Sequence, residues 1–312
     1  MSKVPELSLH AYTHGLPREK SAFIDALFAG LRQYGFVILK DHPVDVSLLR
    51  QAYALSEKLF ALPDHTKRAY VSPAGGGVRG YTPFGTEHAK NSKLPDLKEF
   101  WHVGRELPRG HRLESFFAPN IWPAELPEFR PVFERLYSAL DNSGRLMLEA
   151  LTVPLEVDRD YFTRMTDLGS SVLRLLHYPP IPPGVEPGAV RAAAHEDINL
   201  ITFLVSASSS GLELLTRQGE WLKVETSPEN IIVDSGDMLA RITNEVLPAT
   251  THRVVNPAGP NVSRYSMPFF MHPNPDARLE CLPSCRGDGE KYPPILANDF
   301  LLERLRAIGL TK

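Results

Sequence analysis

His195 and Asp197 stand two positions apart in the run Ala194-His-Glu-Asp-Ile-Asn-Leu, and His252 follows later in Thr250-Thr-His-Arg-Val-Val. In an extended chain, side chains two positions apart share a face, so the imidazole and the carboxylate can meet one metal ion while Glu196 points away. The pair alone is a weak signal. Eleven histidines occur in the chain, and an aspartate two places beyond one of them also arises by chance, as a surface ion pair. His252, on what reads as a neighbouring strand, strengthens the case. Two histidines and one carboxylate make a facial set that leaves three coordination positions open, as Fe(II) needs if it is to take O2 and an organic chelator. A structural zinc site would instead be closed by four ligands.

Arg264-Tyr-Ser266 follows the last of these residues. Alternation again puts Arg264 and Ser266 on one face, where a guanidinium fork can grip a carboxylate and a hydroxyl can add a third hydrogen bond. A 2-oxoacid chelating iron would need such an anchor for its far carboxylate; a structural ion pair is the alternative. For substrate contact, the glycines Gly75–Gly77 precede Arg79, Tyr81 and Phe84, a cation, a hydroxylated ring and an apolar ring. Glycine permits close approach to a ligand, and a pocket needs apolar walls with a few placed polar groups. Arg79 would pair with a substrate carboxylate and Glu99 with an amine or guanidinium; the alternatives are a solvated loop arginine and a structural partner for a nearby base. Of Phe269 and Phe270, adjacent on the Arg264 strand, only one can face the pocket, and Phe270 shares the parity of the anchor. The glycine-rich stretch lacks a Gly-Lys-Ser/Thr ending and opens no helix, which argues against a phosphate loop.

These residues need a scaffold. Apolar spacing and punctuation predict helices over Ser21–Tyr34, stopped by Gly35, over Val46–Ala61, over Pro131–Leu151 and near Ala297–Ile308, with a buried strand at Gly35–Lys40. From about Ser171 short strand-like runs follow one another: Val172–Leu176, Leu200–Val205, Leu212–Leu215, Trp221–Val224, Asn230–Val233, Met238–Ile242 and Tyr265–Met271. Many short strands separated by turn residues predict a sandwich or barrel, here a jelly roll.

The bulk numbers exclude other classes. The chain has 312 residues, 43% of them hydrophobic and 23% charged, with a net charge of −3. That is a globular balance, with no electrostatic bias toward nucleic acid or an anionic membrane and no implied protein partner. No apolar run suits a signal peptide or a bilayer span, so the expected compartment is cytoplasmic. Cys281 and Cys285 are the only cysteines; without a second pair they read as ordinary, partly buried thiols rather than a redox pair or half a zinc site.

The segment from Ser171 to Met271 resembles the C-terminal half of the isopenicillin N synthase-like family of Fe(II)/2-oxoglutarate-dependent oxygenases. Val172-Leu-Arg-Leu-Leu-His-Tyr-Pro-Pro, His195-Glu-Asp-Ile-Asn-Leu-Ile-Thr, Gly219-Glu-Trp-Leu-Lys-Val, Asp234-Ser-Gly-Asp, Thr251-His-Arg-Val and Arg264-Tyr-Ser-Met-Pro-Phe-Phe carry the likeness, in family order. Tyr34-Gly-Phe-Val-Ile-Leu and Asp96-Leu-Lys-Glu99 extend it to the first half. The resemblance implies an α+β protein with a mainly β core, a distorted double-stranded β-helix flanked by N-terminal helices and a C-terminal helix. It divides the chain into a mostly helical region at 1–165, the oxygenase core at 166–275 and an extension at 276–312. It implies Fe(II) on His195, Asp197 and His252, and 2-oxoglutarate on Arg264, Ser266 and Tyr178, with a small organic molecule oxidised by O2 as succinate and CO2 are released. Leu176 stands where plant-type members carry asparagine. Two other classes compete: a metal-dependent hydrolase or isomerase on a cupin-like barrel, which has no use for Arg264-x-Ser266, and a non-catalytic binding protein, which has no use for an intact triad.

Overall fold

The computed structural model describes residues 3–72, 78–88, 94–205 and 210–307; Gly75–Gly77 and the end of the last predicted helix at Ile308 lie outside them. The helices are α1 (Leu9–His14), α2 (Pro17–Tyr34), α3 (Val46–Phe60), α4 (Asp64–Arg68), α5 (Phe129–Thr152), α6 (Tyr161–Thr166), α7 (Asp237–Ile242) and α8 (Ala297–Ala307). Local chemistry sets their ends. Pro17 opens α2, Gly35 closes it in the left-handed region at φ 65° with its N–H on the Leu31 carbonyl, and the Asp45 carboxylate caps α3 through the Ser47 N–H.

Twelve strands build two sheets. They are β1 (Glu6–Ser8), β2 (Phe36–Lys40), β3 (Gly80–Thr82), β4 (Glu99–Gly104), β5 (Val172–Tyr178), β6 (Ala192–His195), β7 (Ile201–Val205), β8 (Leu212–Leu215), β9 (Trp221–Lys223), β10 (Ile231–Ser235), β11 (His252–Val254) and β12 (Arg264–Met271). The large sheet runs β1-β2-β10-β7-β12-β5-β4-β3 and the small one β6-β11-β8-β9. The first half of the chain therefore supplies β1 to β4 to the main sheet, of which only β2 stands out in the sequence. A separate ribbon pairs Arg278–Leu279 with Ile295–Leu296.

Strand alternation sorts the side chains between two cores. One face of the large sheet (Val37, Trp101, Leu173, Phe203, Met267, Phe269, Met271) is buried under α2, α3 and α5. A Cβ on Gly144 of α5 would lie 2.3 Å from Met271 Sδ, so any larger residue there would have to displace the Met271 side chain where the helix rests on β12. The other face (Phe36, Ile38, Phe100, Leu176, Tyr178, Ile232) meets Ala192, Leu212, Leu214 and Val254 of the small sheet. Functional groups on this second face look into the space between the sheets, as a jelly roll requires. In β12, Pro268 stands where the register would oppose Arg174, and the β12–β5 ladder shows no pair there, consistent with the missing N–H.

One expectation is overturned. Met238–Ile242 is not a strand but lies in helix α7. Met238, Leu239, Ala240 and Ile242 are all buried, so the run has no alternation to mark a strand, and a short apolar run buried all round fits either state. The N–H groups of Gly236 and Met238 are taken by the Leu200 and Asn199 carbonyls, and the Ala240 N–H turns back to Gly236, which closes a helical turn. Among the described residues no helix is long and apolar enough to cross a membrane.

Candidate active site

β6 and β11 pair with His195 opposite His252, which brings the two imidazoles together. β6 ends at His195, so Asp197 reaches them from the loop that follows and not, as expected, from the strand itself. Candidate ligand atoms of His195, Asp197 and His252 all lie within 4.8 Å of one another. Asp197 Oδ1 is 3.8 Å from His195 Nε2 and 3.9 Å from His252 Nε2. Each imidazole uses the same device: Nδ1 lies on the carbonyl two residues back, Ala193 at 2.8 Å for His195 and Thr250 at 3.1 Å for His252. A carbonyl only accepts, so Nδ1 carries the proton and the Nε2 lone pair is turned toward Asp197. Glu196 points outward and accepts from the Thr251 hydroxyl.

Electrostatics support this arrangement. Burial, then the neighbouring His252, pushes His195 down to about 4, which keeps it neutral and able to ligate. Burial opposes ionisation of Asp197, yet the two imidazoles and a hydrogen bond from the Thr202 hydroxyl hold its carboxyl below the usual range. Asp234, behind it on β10, is pushed well up by burial and by the neighbouring Asp197 carboxylate.

The second cluster sits further along the same interior. Arg264 faces Tyr178 and Ser266 faces Leu176 across the β12–β5 ladder. All three polar residues are buried, and the Arg264 guanidinium lies over the Tyr178 ring at 5.0 Å. Arg191 lies beside them, also buried, with an Nε that has no hydrogen-bond partner. Nothing adjacent to Arg191 in the sequence marks it as functional. An orphaned buried guanidinium nitrogen next to a second guanidinium is what a carboxylate-binding pocket looks like before its ligand arrives, so the site fits a dicarboxylate.

The expected substrate residues divide. Phe270 faces the interior, 5.2 Å below the Arg174 guanidinium, which also covers Phe100 at 4.3 Å. Phe269 instead packs against Tyr137 of α5. Tyr81 and Glu99 lie on the helix-covered face, away from the metal cluster. Glu99 accepts from Tyr81 and Lys67 and bonds His177 Nδ1 at 2.7 Å, the structural alternative raised for it. Alternation about Trp101 dictates this, and neighbouring sequence could not show which face the helices would cover. Phe84 is 38% exposed. Arg79 is buried rather than solvated, its guanidinium lying where a Cβ on Gly104 would be, 2.1 Å from Arg79 Cζ, and none of its described contacts reaches the metal cluster.

Arg174 is the larger omission. It donates through Nε to His102 at 2.6 Å and through both Nη groups to Glu87 at 3.1 and 3.2 Å, and Lys98 ties Glu87 to Asp96. A lone arginine inside Val-Leu-Arg-Leu-Leu was the available signal, since a charge in an apolar strand must be paired or functional. His272 repeats the device of the metal-site histidines, with Nδ1 3.2 Å from the Phe270 carbonyl, and burial pushes it down to about 4. By alternation it shares the face of Phe270, so its Nε2 is left as an acceptor on that side.

Comparison with known proteins agrees with this geometry. Residues 169–273 match the 2OG-Fe(II) oxygenase superfamily and residues 4–125 match the non-haem dioxygenase in morphine synthesis N-terminal family. A 2-oxoglutarate-Fe(II) type oxidoreductase of Aspergillus fumigatus is 32% identical over 87% of this chain and 83% of its own. A solved 2OG-Fe(II) oxygenase family protein from Caulobacter crescentus is 43% identical with a TM-score of 0.89, covering 99% of this chain and 100% of its own. A full-length Neurospora crassa protein, solved with alpha-KG and thymine, is 29% identical with a TM-score of 0.86 over 97% of this chain and 96% of its own. The chain belongs to the isopenicillin N synthase-like family of Fe(II)/2-oxoglutarate-dependent oxygenases. It is an oxidoreductase with the double-stranded β-helix core of that family.

Proposed function

We propose that His195, Asp197 and His252 hold the Fe(II), that Arg264, Ser266 and Tyr178 receive the far carboxylate of 2-oxoglutarate, and that a small planar substrate lies against Phe270 and Arg174. The convergence of three ligand atoms within 4.8 Å carries this reading. When bound, iron and 2-oxoglutarate supply the oxidising power, by activating O2 as the cosubstrate loses CO2. The protein fixes the imidazole tautomers through Ala193 and Thr250, orients the cosubstrate with the Arg264 fork, and lines the space between the sheets with apolar groups that exclude water.

The substrate reading rests on the wall around Phe270. Its ring offers a face for stacking. The Arg174 guanidinium has five N–H groups, of which its bonds to His102 and Glu87 use three. The remainder can donate to a carbonyl edge, and His272 can accept from an N–H. A flat heterocycle bearing both groups, as a pyrimidine base does, suits this set, and the Neurospora crassa relative was solved with thymine. Residues 166–275 form the oxygenase core in this reading, with 1–165 and 276–312 flanking it. The test is anaerobic titration with Fe(II) and 2-oxoglutarate, followed by succinate release with thymine and other pyrimidine bases. A visible charge-transfer band and a rise above the substrate-free rate are expected. No band would overturn the iron and cosubstrate assignment; a band without any rise would overturn the pyrimidine reading.

A further inference from the structure

We propose that Arg191 is a second cation for the far carboxylate of the cosubstrate, sharing it with Arg264. The inference rests on the reading of the Arg264 corner given above. Both side chains are only 1% exposed, and they are among the largest fully buried groups in the molecule. Arg191 precedes β6, and its main-chain N–H is held by Asn256 Oδ1 at 3.1 Å. Its Nη2 donates to the Val262 carbonyl at 2.5 Å, two residues before Arg264. These bonds aim the guanidinium at the anchor end of the interior but leave its Nε buried and without a partner.

Neither described hydrogen-bond partner of Arg191 is a carboxylate. Burial, and next the Arg264 charge, depress its pKa, while Tyr178 acts in the opposite direction. A buried cation beside a like charge is a costly arrangement unless an anion completes it. A Gln at this position would give Val262 a donor without the charge, so hydrogen bonding to that carbonyl does not explain a guanidinium. The far carboxylate of a 2-oxo dicarboxylate, which the Arg264 fork is positioned to receive, supplies the missing charge and an acceptor for Nε. Tyr178, against which Arg264 lies and which also acts on Arg191, forms the wall common to both cations.

The test compares two ligands of equal chain length, 2-oxoglutarate and 2-oxopentanoate, which lacks the second carboxylate. Each is titrated anaerobically into the full-length Fe(II) protein and followed by the charge-transfer band. Arg191→Gln should weaken 2-oxoglutarate binding roughly 10- to 100-fold, the range of a lost charge-assisted hydrogen bond, and leave 2-oxopentanoate within about threefold. Arg191→Lys, which keeps the charge and loses the fork, should fall between Arg191→Gln and wild type. Equal weakening of both ligands would assign Arg191 a structural role, and unchanged 2-oxoglutarate affinity would remove it from the site; either result overturns the inference. If Arg191→Gln does not fold, the ratio of the two affinities in Arg191→Lys decides: a reduced preference for 2-oxoglutarate supports the proposal and an unchanged one refutes it. A wild-type protein that does not discriminate between the ligands would instead overturn the Arg264 reading itself.

Discussion

The two ends of the interior are prepared differently. At the proposed metal end the candidate ligands are already held by protein: Nδ1 of His195 and of His252 rests on a carbonyl, and Asp197 takes the Thr202 hydroxyl. At the anchor end two guanidiniums are buried together, and Arg191 Nε has no acceptor. In the proposed assignment the metal corner is shaped before its ion arrives, whereas the anchor corner gains its charge balance from its ligand. Changes at the first should remove chemistry; changes at the second should first alter affinity for the cosubstrate.

The sharpest break is His252→Ala, expected to abolish the charge-transfer band and bring succinate release to background while cooperative melting persists. An unchanged band would show that the three residues do not form the iron site. Next, Arg264→Lys should raise the apparent KM for 2-oxoglutarate about 100-fold, since a point charge replaces a bidentate fork, with iron affinity unaltered. If iron affinity falls in parallel, the two ends are not separate. Thr202→Val removes the donor to Asp197 and should weaken Fe(II) binding roughly tenfold, leaving discrimination between 2-oxoglutarate and 2-oxopentanoate intact. The last effect concerns pH and is read in stability rather than in binding. Burial holds the folded His272 near about 4, against about 6.5 in an unfolded chain. Its contribution is therefore fully present above pH ~6.5 and is lost as pH falls toward the folded value, at most about 1.4 kcal/mol per pH unit. Urea unfolding of metal-free protein should show this decline, with a shallower slope in His272→Gln; equal slopes would mean that other groups dominate.

Much of the molecule is written in local spacing. α2, α3 and α5, the β12 strand and the clustering of His195, Asp197 and His252 are legible because period, caps and punctuation act within a few residues. The placement of Asp197 beyond β6, rather than on it, still satisfied the expected convergence, because a loop and a strand can both return the side chain to one point. What depends on distant partners is not legible. The faces of Tyr81 and Glu99 follow from which side of β4 the helices cover, and α7 is helical because Asn199 and Leu200 capture the N–H groups that a strand would have offered. Arg174 and Arg191 show the same limit. Each is a single basic residue in an apolar setting, and what distinguishes them, Glu87 for one and an orphaned nitrogen for the other, lies far away in sequence or in no neighbour at all.

The strand β12 carries Arg264, Ser266 and Phe270 on one face, and this makes it a ruler. Six residues of extended chain separate the first from the last, about 20 Å along the strand. Pairing with β5 and β7 on either side, and contact with α5 at Gly144, leave it no room to slide. The proposed cosubstrate anchor and the proposed stacking ring are therefore two marks on one rigid scale. In the proposed assignment a larger substrate cannot be admitted by drawing them apart, so a change of substrate range has to come from the neighbouring strand β5, at Arg174 and its Glu87 clamp.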